Sequence, residues 1–182
     1  MKIAYLFLNG ELRGNKNFYL NFIENHKGDI YCADGGANIC YELNLIPKEI
    51  YGDLDSIKNN VKEFYQEKNV NFIKFKVEKD YTDSELVLNE VQDKYDIVYC
   101  IAGLGGSIDH ELTNINLLAK YSNLIFISEK EKIFKINNNI CCKKNREYGK
   151  KRDIRPTECK GAPPQQTESV FCGNVRNARD KR

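Results

Sequence analysis

The chain has 182 residues, 41% of them hydrophobic, enough for one α/β domain with a packed core. No run approaches the ~18 apolar residues of a membrane span. The start, Met1-Lys2-Ile3-Ala4-Tyr5-Leu6-Phe7-Leu8-Asn9-Gly10, turns polar too soon for a signal peptide, so a cytoplasmic location without a membrane partner is expected. The net charge of +2 is unevenly spread: residues 141–182 carry 12 Lys/Arg against 5 Asp/Glu, leaving 16 against 21 for residues 1–140. The body is therefore mildly acidic, and no nucleic-acid partner is expected. An odd count of seven cysteines without a secretion signal argues against a disulfide framework. Cys32, Cys40 and Cys100 lie in apolar segments and read as core residues, while Cys141, Cys142, Cys159 and Cys172 lack the paired spacing of a zinc site.

In chain order, residues 2–8 form an apolar run of strand length that ends at the turn signal Asn9-Gly10. A helix follows with Phe18, Phe22 and Ile23 on one face, then a second buried strand over residues 30–33. That strand runs into Asp34-Gly35-Gly36-Ala37-Asn38 and a short helix over residues 39–43, broken by Pro47. The third strand is the end of Ile50-Tyr51-Gly52-Asp53-Leu54-Asp55-Ser56, followed by a polar helix over residues 57–67 and an alternating strand over residues 71–77. Thr82 and Glu85 fit a capping box at the start of a helix bearing Leu86, Leu88 and Val91. Residues 96–102 read as a buried strand leading into Gly103-Leu104-Gly105-Gly106-Ser107-Ile108-Asp109-His110; a helix through Leu118 and a strand over residues 124–128 come next. Buried strands alternating with helices predict a mostly parallel α/β sheet flanked by helices, Rossmann-like in arrangement, with ligands at the carboxyl ends of the strands. From about residue 140 apolar periodicity fades, and three of the four prolines and clustered basic residues follow, so residues 141–182 are expected to be an irregular or disordered tail.

Asp53 and Asp55 carry the first chemical signal. If the strand extends to Leu54, alternation puts both carboxylates on one side, about 7 Å apart along the chain. Hard divalent cations such as Mg²⁺ take carboxylate oxygens together with substrate phosphates. Asp80 and Asp83 bracket a helix start and Asp34 ends a strand; carboxylates gathered from separate loops repel one another unless a cation holds them. The run Gly103-x-Gly105-Gly106 before a helix offers backbone amides and a helix N-terminus to phosphate. It lacks both the third glycine of the dinucleotide fingerprint and the Gly-Lys-Ser/Thr of a P-loop. Asp109 and His110 open the following helix, where they either serve the helix end or reach a nucleotide.

Four blocks in order, Ala33-Asp34-Gly35-Gly36-Ala37-Asn38, Gly52-Asp53-Leu54-Asp55-Ser56, Lys79-Asp80-Tyr81-Thr82-Asp83 and Gly105-Gly106-Ser107-Ile108-Asp109-His110, closely resemble the thiamine pyrophosphokinase family across residues 1–135. The resemblance implies an ATP-binding pyrophosphokinase domain over that range, with Mg²⁺ as cofactor, ATP as co-substrate and thiamine as acceptor. It implies metal binding by Asp53, Asp55 and Asp83 with Asp80 in support, a place for Asp34 near the attacking hydroxyl, and an ATP site at Gly105, Gly106, Ser107, Asp109 and His110. Asp34, Asp53, Asp55 and Asp83 are the expected catalytic set. Ser107 stands where members of the family commonly have Arg. The resemblance also implies a β-rich second domain that builds the thiamine site across a homodimer and often supplies a Trp and a Ser-Asn pair. Trp is absent and residues 141–182 show neither pattern, so an atypical, replaced terminus and weakened thiamine turnover are expected. A pyrophosphokinase for another alcohol, such as a hydroxymethyl-pterin, and a non-catalytic nucleotide-binding module are the alternatives.

Overall fold

The computed structural model of the protein describes residues 1–75, 81–136, 139–144 and 171–174. Nine strands form one sheet: β1 (Ile3–Phe7), β2 (Asp29–Ala33), β3 (Glu49–Gly52), β4 (Asn71–Lys74), β5 (Ile97–Ile101), β6 (Leu124–Ile127), β7 (Glu131–Ile136), β8 (Asn139–Lys144) and β9 (Phe171–Asn174). Their spatial order is β4-β3-β2-β1-β5-β6-β7-β8-β9. The first six are parallel and the last three extend the sheet antiparallel from β6. The mostly parallel α/β sheet predicted from the apolar runs is therefore the fold.

Among the described residues five helices cover it: α1 (Lys16–Asn25), α2 (Gly36–Glu42), α3 (Asn59–Glu67), α4 (Asp83–Val91) and α5 (Ile108–Lys120), with a short 3-10 turn at Gln92–Lys94. Strand alternation sorts the core into two layers. Ile3, Tyr5 and Phe7 of β1 pack with Phe18, Phe22, Cys40, Val61 and Tyr65 from α1–α3. Ala4 and Leu6 of the same strand pack on the opposite face with Val87, Leu88, Val91, Leu117 and Leu118 from α4 and α5. A strand covered on both faces must be apolar at every position, which is why β1 and β5 read as unbroken apolar runs. Truncating a fully buried side chain such as Leu88 to Ala would cost about 2–5 kcal/mol. The buried cysteines Cys32, Cys40 and Cys100 are free thiols within these layers.

Several boundaries differ from the sequence reading for identifiable reasons. β3 ends at Gly52, because Gly52 (φ +136°) turns the chain out of the strand before Asp53 and Leu54 (φ +68°) turns it again after. Helix α2 starts three residues earlier than predicted, at Gly36, which lies so close to β1 that a Cβ there would meet the Phe7 carbonyl oxygen at 2.1 Å. The antiparallel strand β7 was not foreseen, since its half-buried sequence EKIFKI lacks the apolar run that marks the parallel strands. The sheet also takes in residues 141–144 and 171–174 of the segment for which no regular structure was expected; the rest of that segment lies outside the described residues.

At the amino ends of the strands polar groups are matched internally. Asp29, first residue of β2, accepts from Lys48 Nζ at 2.8 Å and from the Tyr95 hydroxyl, which is itself 2.6 Å from the Tyr31 hydroxyl. These bonds to Lys48 and then Tyr95 hold the Asp29 carboxyl below the usual carboxylate range.

Candidate functional site

The carboxyl ends of the parallel strands open into a cleft of about 700 Å³. Its walls come from the exits of β1, β2, β3 and β5 and from the first turns of α4 and α5. Three of these exits contain a non-glycine residue in the left-handed region: Asp34 after β2 (φ +43°), Leu54 after β3 (φ +68°) and Ala102 after β5 (φ +57°). Such conformations cost about 1–3 kcal/mol each and persist where surrounding structure imposes them.

Asp34 is 94% buried, with its backbone N–H donating to the Tyr51 carbonyl at 2.6 Å and its carbonyl accepting from Ala37 N–H at 3.0 Å. Its carboxylate Oδ1 is enclosed and has no hydrogen-bond partner among the described residues. Close packing puts it there, since a Cβ on Gly52 would come within 2.9 Å of the Asp34 Cβ. Asp53 and Asp55 approach the same point from the loop after β3, and one carboxylate oxygen from each of Asp34, Asp53 and Asp55 lies within 4.8 Å of the others. The two loop aspartates converge through a turn, Asp55 N–H donating to Asp53 Oδ1 at 3.2 Å, rather than through the strand alternation expected from their spacing.

Asn38 fixes that loop. Its side chain donates to the Ser56 carbonyl at 2.9 Å and accepts from Lys58 N–H at 3.0 Å, tying α2 to both ends of the segment that follows the aspartates. Asn38 stands in the first motif, yet nothing local in its sequence marks this bond across 20 residues.

Asp83 reaches the cleft as the first residue of α4, whose N-cap Thr82 accepts from Glu85 N–H at 3.3 Å. Only half of the anticipated capping box forms, since the Glu85 carboxylate pairs with Lys120 Nζ at 2.6 Å instead of turning back. Burial, and then the charges of Asp34, Asp53 and Asp55, push the Asp83 carboxyl above the usual carboxylate range. Four aspartates thus share one electrostatic environment, although Asp83 stands apart from the tight triad. Asp80 lies outside the described residues.

The glycine loop forms the opposite wall. Gly103 is small for packing, as a Cβ would meet the Phe126 ring at 2.6 Å, and its carbonyl accepts from Asn114 Nδ2 at 3.0 Å. Gly105 (φ +105°) donates its N–H to Glu111 Oε1 at 3.2 Å; Glu111 in turn pairs with Arg13 Nη1 at 3.3 Å, and Arg13 lies 3.5 Å from Glu131. Gly106 (φ +90°) faces open space. Of the two glycines singled out for phosphate, Gly105 already has a carboxylate on its amide and Gly106 is the unobstructed one.

Ser107 is the N-cap of α5, and Asp109 and His110 stand exposed on its first turn at the cleft wall. The Ser107 hydroxyl, followed by the His110 amide, holds the Asp109 carboxyl below its usual range. Asn9 was read only as part of a turn, Asn38 only as part of the first motif, and Glu111 not at all; Asn9 lines the cleft, while Asn38 and Glu111 are bonded to the loops that wall it.

A doubly wound parallel sheet with a carboxylate cluster and a glycine loop facing each other across the strand ends belongs to the class of open α/β proteins that place their ligands at the carboxyl ends of the strands. A family model described as "Thiamin pyrophosphokinase, catalytic domain" matches residues 21–128. The chain belongs to this family. Thiamine pyrophosphokinase 1 of Oryza sativa subsp. japonica is 30% identical over 127 residues, covering 57% of this chain and 48% of that protein. Thiamine pyrophosphokinase of Bacillus subtilis (strain 168) is 34% identical over 89 residues, covering 48% and 42%. Among solved structures, the thiamine pyrophosphokinase of Bacillus subtilis superposes with a TM-score of 0.61 at 27% identity, over 73% of this chain and 64% of the other. The yeast enzyme shares the fold with a TM-score of 0.63 at 20% identity, over 73% and 60%. The chain spans about half the length of the curated relatives it matches.

Proposed function

We propose that the cleft binds Mg²⁺-ATP and transfers its terminal pyrophosphoryl group to the hydroxyl of thiamine, giving thiamine diphosphate and AMP. The observation that carries this reading is the convergence of one carboxylate oxygen from each of Asp34, Asp53 and Asp55 within 4.8 Å, on an Asp34 side chain whose buried Oδ1 has no hydrogen-bond partner among the described residues. A buried anionic oxygen without a donor is costly, and an all-carboxylate donor set fits a hard cation. Asp34, Asp53 and Asp55 would hold Mg²⁺, with Asp83 and Asp80 in support. Bound there, the cation would neutralise polyphosphate charge as it develops in the transition state.

The protein's own groups divide the remaining work. Gly106 and the start of α5, with Ser107, Asp109 and His110, receive the nucleotide on the wall opposite the carboxylates. The acceptor hydroxyl oxygen attacks the β-phosphorus, the bond from that phosphorus to the α–β bridging oxygen breaks, and AMP leaves with that oxygen. The hydroxyl proton passes to the Asp34 carboxylate on the cleft floor. Asn38 keeps the loop after β3 in place throughout, which matters because this chemistry depends mainly on positioning.

Thiamine turnover by residues 1–182 is proposed to be slow relative to nucleotide binding, because residues 141–182 contain neither a Trp nor a Ser-Asn pair. Calorimetry with ATP, with and without EDTA, tests the first half: magnesium-dependent binding is expected, and its absence would overturn the reading. Supplying ATP with thiamine or a hydroxymethyl-pterin and measuring AMP tests the second. AMP formed with thiamine alone supports it; AMP formed only with the pterin reassigns the acceptor, and ATP binding without AMP from either identifies a non-catalytic nucleotide module.

A further inference from the structure

Asn9 follows β1, the strand at which the chain order reverses: β2, β3 and β4 lie to one side, β5 and β6 to the other. Backbone bonds on either side of it hold it there. Leu8 N–H donates to the Ile101 carbonyl and Gly10 N–H to the Ala102 carbonyl, both at 3.0 Å, so pairing with β5 continues past the end of β1. Gly10 has no room for a side chain, since a Cβ would meet the Ala102 oxygen at 2.2 Å. Towards β2, the Asn9 carboxamide lies against Gly35: a Cβ there would fall 2.2 Å from Oδ1, 2.4 Å from Cγ and 2.7 Å from Nδ2.

The carboxamide therefore fills the space that Gly35 leaves, next to Asp34 and exposed in the cleft. It is held in place by packing, yet it has no hydrogen-bond partner among the described residues. Its position is midway between the carboxylates after β2 and β3 and the glycine loop after β5.

We propose that Asn9 is a ligand-contacting residue whose amide N–H groups donate to the polyphosphate of the bound nucleotide where it passes from the acidic cluster to Gly106. The chemistry suits the place. An Asp here would repel phosphate, and a Lys would be drawn onto the aspartates and compete with the cation; a carboxamide supplies two donors and no charge. The assignment rests on the Mg²⁺-ATP reading and adds to it the residue that reads the phosphates.

Calorimetry with magnesium tripolyphosphate, Mg²⁺-ATP and Mg²⁺ alone, on the full chain and on Asn9→Ala and Asn9→Asp, tests it. Asn9→Ala should weaken tripolyphosphate and ATP alike, by about 10-fold, and leave Mg²⁺ alone unchanged. Asn9→Asp keeps the shape packed on Gly35; it should weaken tripolyphosphate by roughly 100-fold and tighten Mg²⁺ alone. Near-UV circular dichroism matching the parent verifies the fold of each variant. Wild-type affinity for tripolyphosphate in either folded variant would overturn the role of Asn9, as would a loss confined to ATP, which puts the contact on the nucleoside. A parent chain that binds neither ATP nor tripolyphosphate would overturn the Mg²⁺-ATP reading itself, and the assignment with it.

Discussion

Strand β2 carries an aspartate at its start and another just beyond its end, and the two are treated in opposite ways. Asp29 receives a lysine and a tyrosine from its own chain, and its carboxyl is driven below the usual range. Asp34, five residues on, is far more buried, has an oxygen without a donor among the described residues, and faces Asp53 and Asp55. Nearby Asp83 is correspondingly pushed up. At one end of the sheet the carboxylate is paired by the chain's own donors; at the other, carboxylates face one another. The charge contacts are attractive at the first and repulsive at the second.

The sharpest way to break this contrast is to remove charge from the aspartate cluster. Asp53→Asn together with Asp55→Asn should weaken magnesium-dependent ATP binding on the order of 100-fold or more while leaving the unliganded fold intact, as measured by calorimetry beside thermal denaturation. Asn38→Ala removes both bonds that steady the aspartate loop; about 1–2 kcal/mol of binding free energy should disappear, with little change in the urea midpoint. Asp34→Asn relieves repulsion in the unliganded protein. Its stability in urea should rise by about 1 kcal/mol in EDTA, and the increase that Mg²⁺ gives the parent should vanish.

The smallest effect belongs to the neutralised end. The Asp29 side chain is 45% exposed, so its pair with Lys48 is screened by solvent and Asp29→Asn should cost only about 0.5 kcal/mol at pH 7. A carboxylate whose folded pKa is depressed contributes fully above its ordinary value of 3.8, and loses that contribution as pH falls through the folded value. Parent and Asp29→Asn should therefore converge in stability only below about pH 4, and Mg²⁺ should not alter the difference. A magnesium effect on this variant would erase the distinction between the two ends.

Much of the architecture was legible because burial on both faces leaves no polar position in β1 or β5. Strands at the antiparallel side were not, since β7 alternates Glu131, Lys132, Ile133, Phe134, Lys135 and Ile136 and half of that sequence reads as surface. The aspartates could be named from their motifs, but not their geometry. Leu54 and Asp34 adopt left-handed backbone, rare for a leucine and only an occasional choice for an aspartate, in the loops that carry the carboxylates. Asn9 and Glu111 were illegible for a different reason: an asparagine at a strand end is ordinary turn chemistry until Gly35 is seen beneath it, and a first-turn glutamate is ordinary until it is found on the Gly105 amide.

The central place of β1 has a consequence for synthesis on the ribosome. β1 is made before both of its neighbours in the sheet; it can pair with β2 once residues 29–33 appear, but its other edge stays open until residues 97–101 follow. Through that interval the nascent chain exposes an unpaired apolar edge, the kind of surface that chaperones bind and that aggregates when translation stalls. The acidic wall can assemble during this wait, whereas the glycine wall cannot. A nascent chain halted at that stage would carry the carboxylates without the cleft.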